Sequence, residues 1–158
     1  LHQGEDRLVV LMGRHHPLSG MAPSLEDYLA WPHLQVSGGG DKDSPVEQVL
    51  APLGLSRRWF ARVPFFQAAV EVLLRTDCLM TTPAHIAWQL SREHALSFCD
   101  LPFATRVQQY HLLWHQRHHL DPAHRWFREL AYPFLRDHLQ FTLGESRKQL
   151  ERKADPLR

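Results

Sequence analysis

Hydrophobic positions fall in short dense blocks separated by polar, Gly- or Pro-bearing breaks, and the period of the blocks predicts strands and helices in turn. Arg7 to Met12 (RLVVLM) reads as a buried strand, ended by a loop at His16-Pro17-Leu18-Ser19-Gly20. Ser24 then starts a helix to about Ala30. Its spacing to Asp27 is that of a capping box, with Asp in place of the better Glu or Gln. His33 to Ser37 is a strand closed by Gly38-Gly39-Gly40. Ser44 as N-cap, Pro45 at the first helical position and Glu47 reaching back predict a second helix, with Val46, Val49, Leu50 and Leu53 as its apolar stripe and Gly54 as its left-handed end. Arg58 to Val63 alternates as a strand. Phe65 to Leu74 (FFQAAVEVLL) is so apolar that it predicts a helix buried on most sides. Cys78 to Met80 is a brief strand, Thr82 and Pro83 start a helix reaching Leu90 or a little beyond, and Ala95 to Cys99 is a further strand.

The stretch Tyr110 to Leu130 (YHLLWHQRHHLDPAHRWFREL) repeats this logic most clearly. Arg106 to Trp114 reads as a strand, and its apolar end from Tyr110 predicts cover on both faces. Asp121 as N-cap and Pro122 as first residue start a long terminal helix whose apolar face carries Trp126, Phe127, Leu130, Tyr132 and Phe134. From Glu145 onward the chain is charged and almost free of large apolar residues, which predicts a frayed helix end or a disordered tail. Strand and helix in repeated alternation with short connections argue for an α/β fold, with helices on both faces of a mixed, mostly parallel sheet.

Composition narrows the function classes. With 44% hydrophobic and 22% charged residues in 158, the chain is ordinary for a soluble domain or two small lobes. A net charge of +1, with the arginines and lysines spread along the chain, offers no footprint for nucleic acid. Cys78 and Cys99 sit in apolar settings and read as small buried hydrophobes, which fits a reducing cytoplasm. No apolar run approaches the ~20 residues needed to span a bilayer, and the first residues lack a signal-peptide pattern. The expectation is a cytoplasmic chain with no membrane partner.

The ordered features resemble the effector-binding domain of LysR-type transcriptional regulators. Those features are the first strand followed by His16-Pro17-Leu18, a helix before the strand His33 to Ser37, Val46 through Leu53 with Gly54-Leu55 and Arg57-Arg58, and Pro64-Phe65-Phe66 opening a helix. Thr76-Asp77 before a short strand to Pro83 follows, and then Trp114-His115 with Asp121-Pro122-Ala123-His124-Arg125-Trp126. The last pattern is similar to the subgroup of nodulation and aromatic-catabolism activators, and the resemblance covers most of residues 5 to 138. It implies a periplasmic-binding-protein-like fold of type 2, with two lobes, two crossing strands and an effector cleft between the lobes. On that mapping residues 1–12 are a crossing strand from a first lobe, 13–104 the second lobe, 105–143 the return to the first lobe and 144–158 a charged tail. It also implies homodimers or homotetramers. DNA would be reached only through an N-terminal helix-turn-helix domain that this chain does not carry.

In an open α/β sheet a cleft ligand meets the carboxyl ends of strands and the starts of the following helices. Three places qualify: Ser37 with Gly38 and Gly39, Phe65 with Phe66, and Thr81 with Thr82. Hydroxyls and backbone N–H groups would hold a carboxylate while the phenylalanines wall an aromatic or aliphatic body. Taken singly, each residue is also explained as a turn glycine, a helix cap or core; as a set they suggest an effector site. The histidines His111, His115, His118, His119 and His124 invite a zinc reading, but strand alternation separates them and no Cys completes the set, so a solvated loop is preferred. Ser19, Ser37 and Ser44 lack a nucleophile-elbow context, and there is neither a phosphate-binding loop nor a dinucleotide fingerprint. No enzyme, cofactor or metal is expected. The rival readings are a periplasmic solute-binding protein of the same fold and a small enzyme with a histidine-bound metal.

Overall fold

The computed structural model describes residues 1–37 and 44–155. The most apolar strand sits at the centre of a sheet: β2 (Leu8–Gly13) is flanked by β5 (Leu79–Pro83) and β6 (Leu96–Asp100), both antiparallel to it. Parallel pairing then extends the sheet from β5 to β3 (His33–Val36) and on to β4 (Trp59–Val63), giving the order β4-β3-β5-β2-β6. Four strands therefore run one way and β2 the other. The sheet is mixed, as the sequence suggests.

A central strand must be apolar on both faces, and β2 is. Val9 and Leu11 enter one core with Ala69, Val70 and Leu73 of α3 (Phe66–Arg75) and Ala84, Ala87 and Trp88 of α4 (Ala84–Glu93). Val10 and Met12 enter the other with Tyr28 of α1 (Leu25–Ala30) and Val46 and Leu50 of α2 (Pro45–Leu50). Cys78 and Cys99 are free thiols in these cores. Each fully buried large side chain contributes about 1.5–3 kcal/mol.

Several helix starts form as local chemistry requires. Ser24 and Asp27 make the reciprocal capping box, with Asp27 N donating to Ser24 Oγ (3.1 Å) and Ser24 N to Asp27 Oδ2 (2.9 Å). Gly54 adopts φ 70° after the 3₁₀ turn Ala51–Leu53, and this turn swings Leu53 out of its expected stripe to 60% exposure. Ser44, however, makes no side-chain cap hydrogen bond, and Glu47 turns away to Arg57. Nor does Thr82 cap α4: β5 runs through Pro83 to pair with Leu8, and Asp6 supplies the missing acceptor from 79 residues away, taking His85 N at 3.0 Å. α3 is buried on one side only, because a single sheet face lies beneath it while Phe65 stands 63% exposed at its start.

A separate antiparallel ribbon pairs β1 (His2–Asp6) with β7 (Gln108–His111). The return strand expected over Arg106 to Trp114 shortens to these four residues and is not covered on both faces, since it has one neighbour and Leu113 is 82% exposed. α5 (Pro122–Ala154), capped by Asp121 on the N–H groups of Ala123 and His124, packs across the ribbon. A Cβ on Gly4 would lie 2.8 Å from Leu143 Cδ1, so a side chain there would have to push the end of Leu143 aside. Beyond Glu145 the helix does not fray: Ser146 and Leu150 are buried, and Lys153 Nζ donates to Phe98 O at 2.6 Å. Small and apolar residues three or four apart make a packing edge that charge density had hidden.

Candidate functional site

Between the carboxyl ends of β3 and β5, the start of α2 and the approach to β7 lies an open cavity of about 370 Å³. Leu34, Val36, Val46 and Pro83 supply apolar wall, while Thr81, Ser44, Arg57, Arg106 and Gln108 supply polar groups. Leu8 opens β2 of the sheet and Gln108 opens β7 of the ribbon, so the sheet and the ribbon meet here.

Beneath it runs a hydrogen-bonded chain. Arg57, 7% exposed although charged, donates Nε to Glu47 Oε1 (2.8 Å) and Nη2 to Glu47 Oε2 (2.7 Å) in a bidentate pair, and its guanidinium stacks 4.4 Å from the Trp59 ring centre. Burial pushes the Glu47 carboxyl up, but the hydrogen bonds from Ser44 and Arg57 and the Arg57 charge outweigh it and hold the group below its usual value. Arg57 Nη1 donates to Tyr28 Oη at 3.4 Å, and Tyr28 Oη lies 2.7 Å from Thr81 Oγ1. Burial raises the Tyr28 phenol, against the Arg57 charge, so it stays protonated. Behind Tyr28, His33 is fully buried, donates Nε2–H to Tyr28 O at 2.8 Å, and is pushed down to about 4 chiefly by burial.

Of the residues expected to bind a ligand, Thr81 lines this cavity. Thr82, 3% exposed, alternates to the opposite face of the sheet. Ser37 follows β3, and its backbone N–H donates to Val63 O at 3.0 Å, so that N–H is not available to an anion. Gly38 and Gly39 lie outside the described residues. Phe66 joins the α3 and α4 core, and Phe65 is exposed at the α3 start, so the two phenylalanines do not wall the cavity that Thr81 lines. Tyr28, Glu47, Arg57, Arg106 and Gln108 went unremarked as site residues. Adjacent Arg57 and Arg58 carry no local sign of which one turns inward.

The histidines form stacks rather than a ligand set. His118 and His124 rings lie parallel 5.1 Å apart, His119 stacks on Trp114 at 6.2 Å, and Arg128 donates to the carbonyls of His118 and His119 at 3.0 Å each. Among the described residues no group of three or more His, Cys, Asp or Glu is placed to hold a metal ion.

A mixed five-stranded α/β sheet covered by helices on both faces, with a separate antiparallel ribbon beside it, is the fold of a type 2 periplasmic-binding-protein-like domain. The chain belongs to the LysR substrate binding domain family, whose model matches residues 1–136. Its relatives include the transcriptional activator NahR of Pseudomonas putida, 27% identical over 133 residues that cover 84% of this chain and 44% of that protein. The chain thus spans less than half the length of that relative. Among solved structures, a transcriptional regulator from Vibrio parahaemolyticus superposes with a TM-score of 0.75 at 25% identity, covering 92% of this chain and 66% of the other. The regulatory domain of MexT, a transcriptional activator in Pseudomonas aeruginosa, gives 0.70 at 28% identity, with 90% and 66% covered.

Proposed function

We propose that this chain is the effector-sensing and self-associating part of a cytoplasmic LysR-type transcriptional regulator, acting by binding rather than catalysis. The effector is a small anionic or aromatic metabolite. On this reading residues 1–12 are a crossing strand, 13–104 the second lobe, 105–143 the return to the first lobe and 144–158 the tail, whose first part α5 absorbs. The observation that carries the proposal is the cavity walled both by that lobe, through Leu34, Val46 and Thr81, and by the crossing segments, through Leu8, Arg106 and Gln108. An occupant touching both has differential affinity for their arrangements, which is what a population shift requires. The regulator names of the relatives, NahR among them, supply the output: changed presentation of DNA-binding domains carried outside this chain, in homodimers or homotetramers.

The test is a titration of the full-length protein with small carboxylates while operator binding and thermal stability are followed. A sensing domain gains RT ln(1 + [L]/Kd), about 2.7 kcal/mol at a hundredfold excess over Kd. Carboxylates that change neither readout across the series would sink the proposal.

A further inference from the structure

At the opposite end of the sheet from the cavity beside Thr81, a second open cavity of about 540 Å³ lies between the carboxyl end of β2, the start of β6, the last turn of α4 and the far half of α5. Its wall has more hydrogen-bond donors than it can use. Arg14 donates Nε to Leu96 O and Nη2 to Ser91 O, both at 3.3 Å, which leaves three of its five N–H groups. Lys153 gives one proton to Phe98 O and keeps two. Among the described residues the hydroxyls of Ser19 and Ser97 and the side-chain amide of Gln149 make no hydrogen bond. The carbonyls of Ser91, Leu96 and Phe98 are already taken by the same two cations.

Arg14 and Lys153 form no ion pair among the described residues, and none of those residues that line this cavity carries a carboxylate. The neighbouring carboxylates have other partners: Glu145, which acts through space on Arg92 at the rim, is held by Lys148 Nζ at 2.8 Å, and Asp100 pairs with Arg7. Lys153 is exposed as a residue, yet its ammonium turns in against Phe98, 5.1 Å from the ring centre, and burial there pushes the amine below its ordinary value. Spacing follows from the strand. Leu96 and Phe98 are two residues apart on β6, the edge strand of the sheet, so the carbonyls that hold the two cations are about 6.5 Å apart along it. That is close to the span of one oxyanion with a hydrogen bond on either side.

We propose that this second cavity binds the phosphate group of a small polar molecule, free or as a monoester, between Arg14 and Lys153, with Ser19 and Ser97 donating further hydrogen bonds. A phosphate monoester brings three strong acceptor oxygens and about two negative charges, which match the surplus of donors. Leu96 is the one apolar side chain in the described wall, so the body of the ligand is polar as well. Because Arg14 follows β2 and Lys153 stands on α5, the ligand fastens the far half of that helix to the sheet. The site is separate from the cavity beside Thr81 and does not depend on how that cavity is read.

The experiment titrates the 158-residue chain with sodium phosphate, glucose 6-phosphate and glucose, at ionic strength held constant with sodium chloride, and follows backbone amide shifts and melting temperature. The expected result is saturable shifts at Ser19, Leu96, Ser97 and Gln149 with both phosphates and none with glucose, while the melting temperature rises with phosphate. Tighter binding of glucose 6-phosphate than of inorganic phosphate makes the monoester the occupant, and equal binding makes it the free anion; either upholds the site. Lys153→Gln weakens phosphate binding about tenfold, Lys153→Arg restores most of it, and Ser97→Ala costs about threefold. Arg14→Gln has an effect like that of Lys153→Gln; since Arg14 also holds two carbonyls, the unliganded melting temperature is read beside it, and the Lys153 pair decides if that variant is unfolded. Sodium chloride alone reproducing the shifts would reduce them to screening and overturn the site. Full phosphate affinity in folded Lys153→Gln would overturn it as well.

Discussion

The five-stranded sheet is centred on an apolar strand, whereas the two-stranded ribbon is built from the polar strands HQGED and QQYH with apolar chain only beyond β7, and only the sheet is dry on both faces. β2 is fully buried from Val9 to Met12 because α3 and α4 cover one face and α1 and α2 the other. The ribbon has α5 on one face only, and its Leu112-Leu113 continuation ends with Leu113 82% exposed. α5 itself repeats the contrast. Its far half buries Leu143 and Leu150, whereas its near half presents Trp126 (65%), Leu130 (49%) and Phe134 (73%) to solvent along one side. Apolar pattern thus specifies which residues seek cover, and the number of layers available decides whether they find it.

The largest effect that would test this contrast is Phe98→Ala in β6. A fully buried ring lost from the main core costs about 3–5 kcal/mol in denaturant unfolding; a cost below about 1 kcal/mol would mean that the two regions are less different than described.

Acid should also strike the sheet first. Burial depresses His33 from 6.5 to about 4 in the folded state, so the folded protein binds fewer protons than the unfolded chain between those values. The stability contribution is therefore whole above pH 6.5 and is lost as pH falls toward 4, to a total of about 3 kcal/mol. In His33→Leu that slope disappears from the pH dependence of unfolding, although the variant starts lower because Tyr28 O loses its donor.

Asp6 lies at the junction of the two regions, accepting His85 N at 3.0 Å and pairing with His85 Nδ1 at 2.7 Å. Asp6→Ala removes the cap and the pair, and should cost about 2 kcal/mol. Faster amide exchange in the first turn of α4 and in β1 is the accompanying signature; an effect confined to α4 would show that Asp6 caps without joining.

Phe134→Ser should change the chain's own stability by no more than about 0.5 kcal/mol, because the ring is already exposed. Its effect falls on association. Sedimentation velocity is expected to show concentration-dependent self-association of the wild-type chain that this variant weakens, and monodisperse wild-type monomers at high concentration would contradict the expectation.

Elements whose signals are local could be read directly. The capping box at Ser24, the Asp121-Pro122 helix start and the left-handed Gly54 need only neighbouring residues, and each formed. Thr81 was reached by a topological rule, that ligands gather at strand ends. Thr82, one residue on, went to the opposite face, because strand alternation allows only one of two neighbours into the cavity. The Asp6 cap of α4 joins residues 79 apart, and the Arg57–Glu47 pair is formed because α2 and the approach to β4 happen to fold together. Neither leaves a trace in spacing.

What the sequence by itself determined was the order of strands and helices, the helix starts at Ser24 and Asp121 and the family to which the chain belongs, since all three depend on residue type at short range or in fixed order. Only the tertiary structure decided that Arg57 turns inward to be neutralised by Glu47, that the charged stretch after Glu145 completes a helix, and that Tyr110 to Trp114 stays half uncovered. Burial and charge compensation are properties of what a residue meets in space, and in this protein the partners that matter lie tens of residues away.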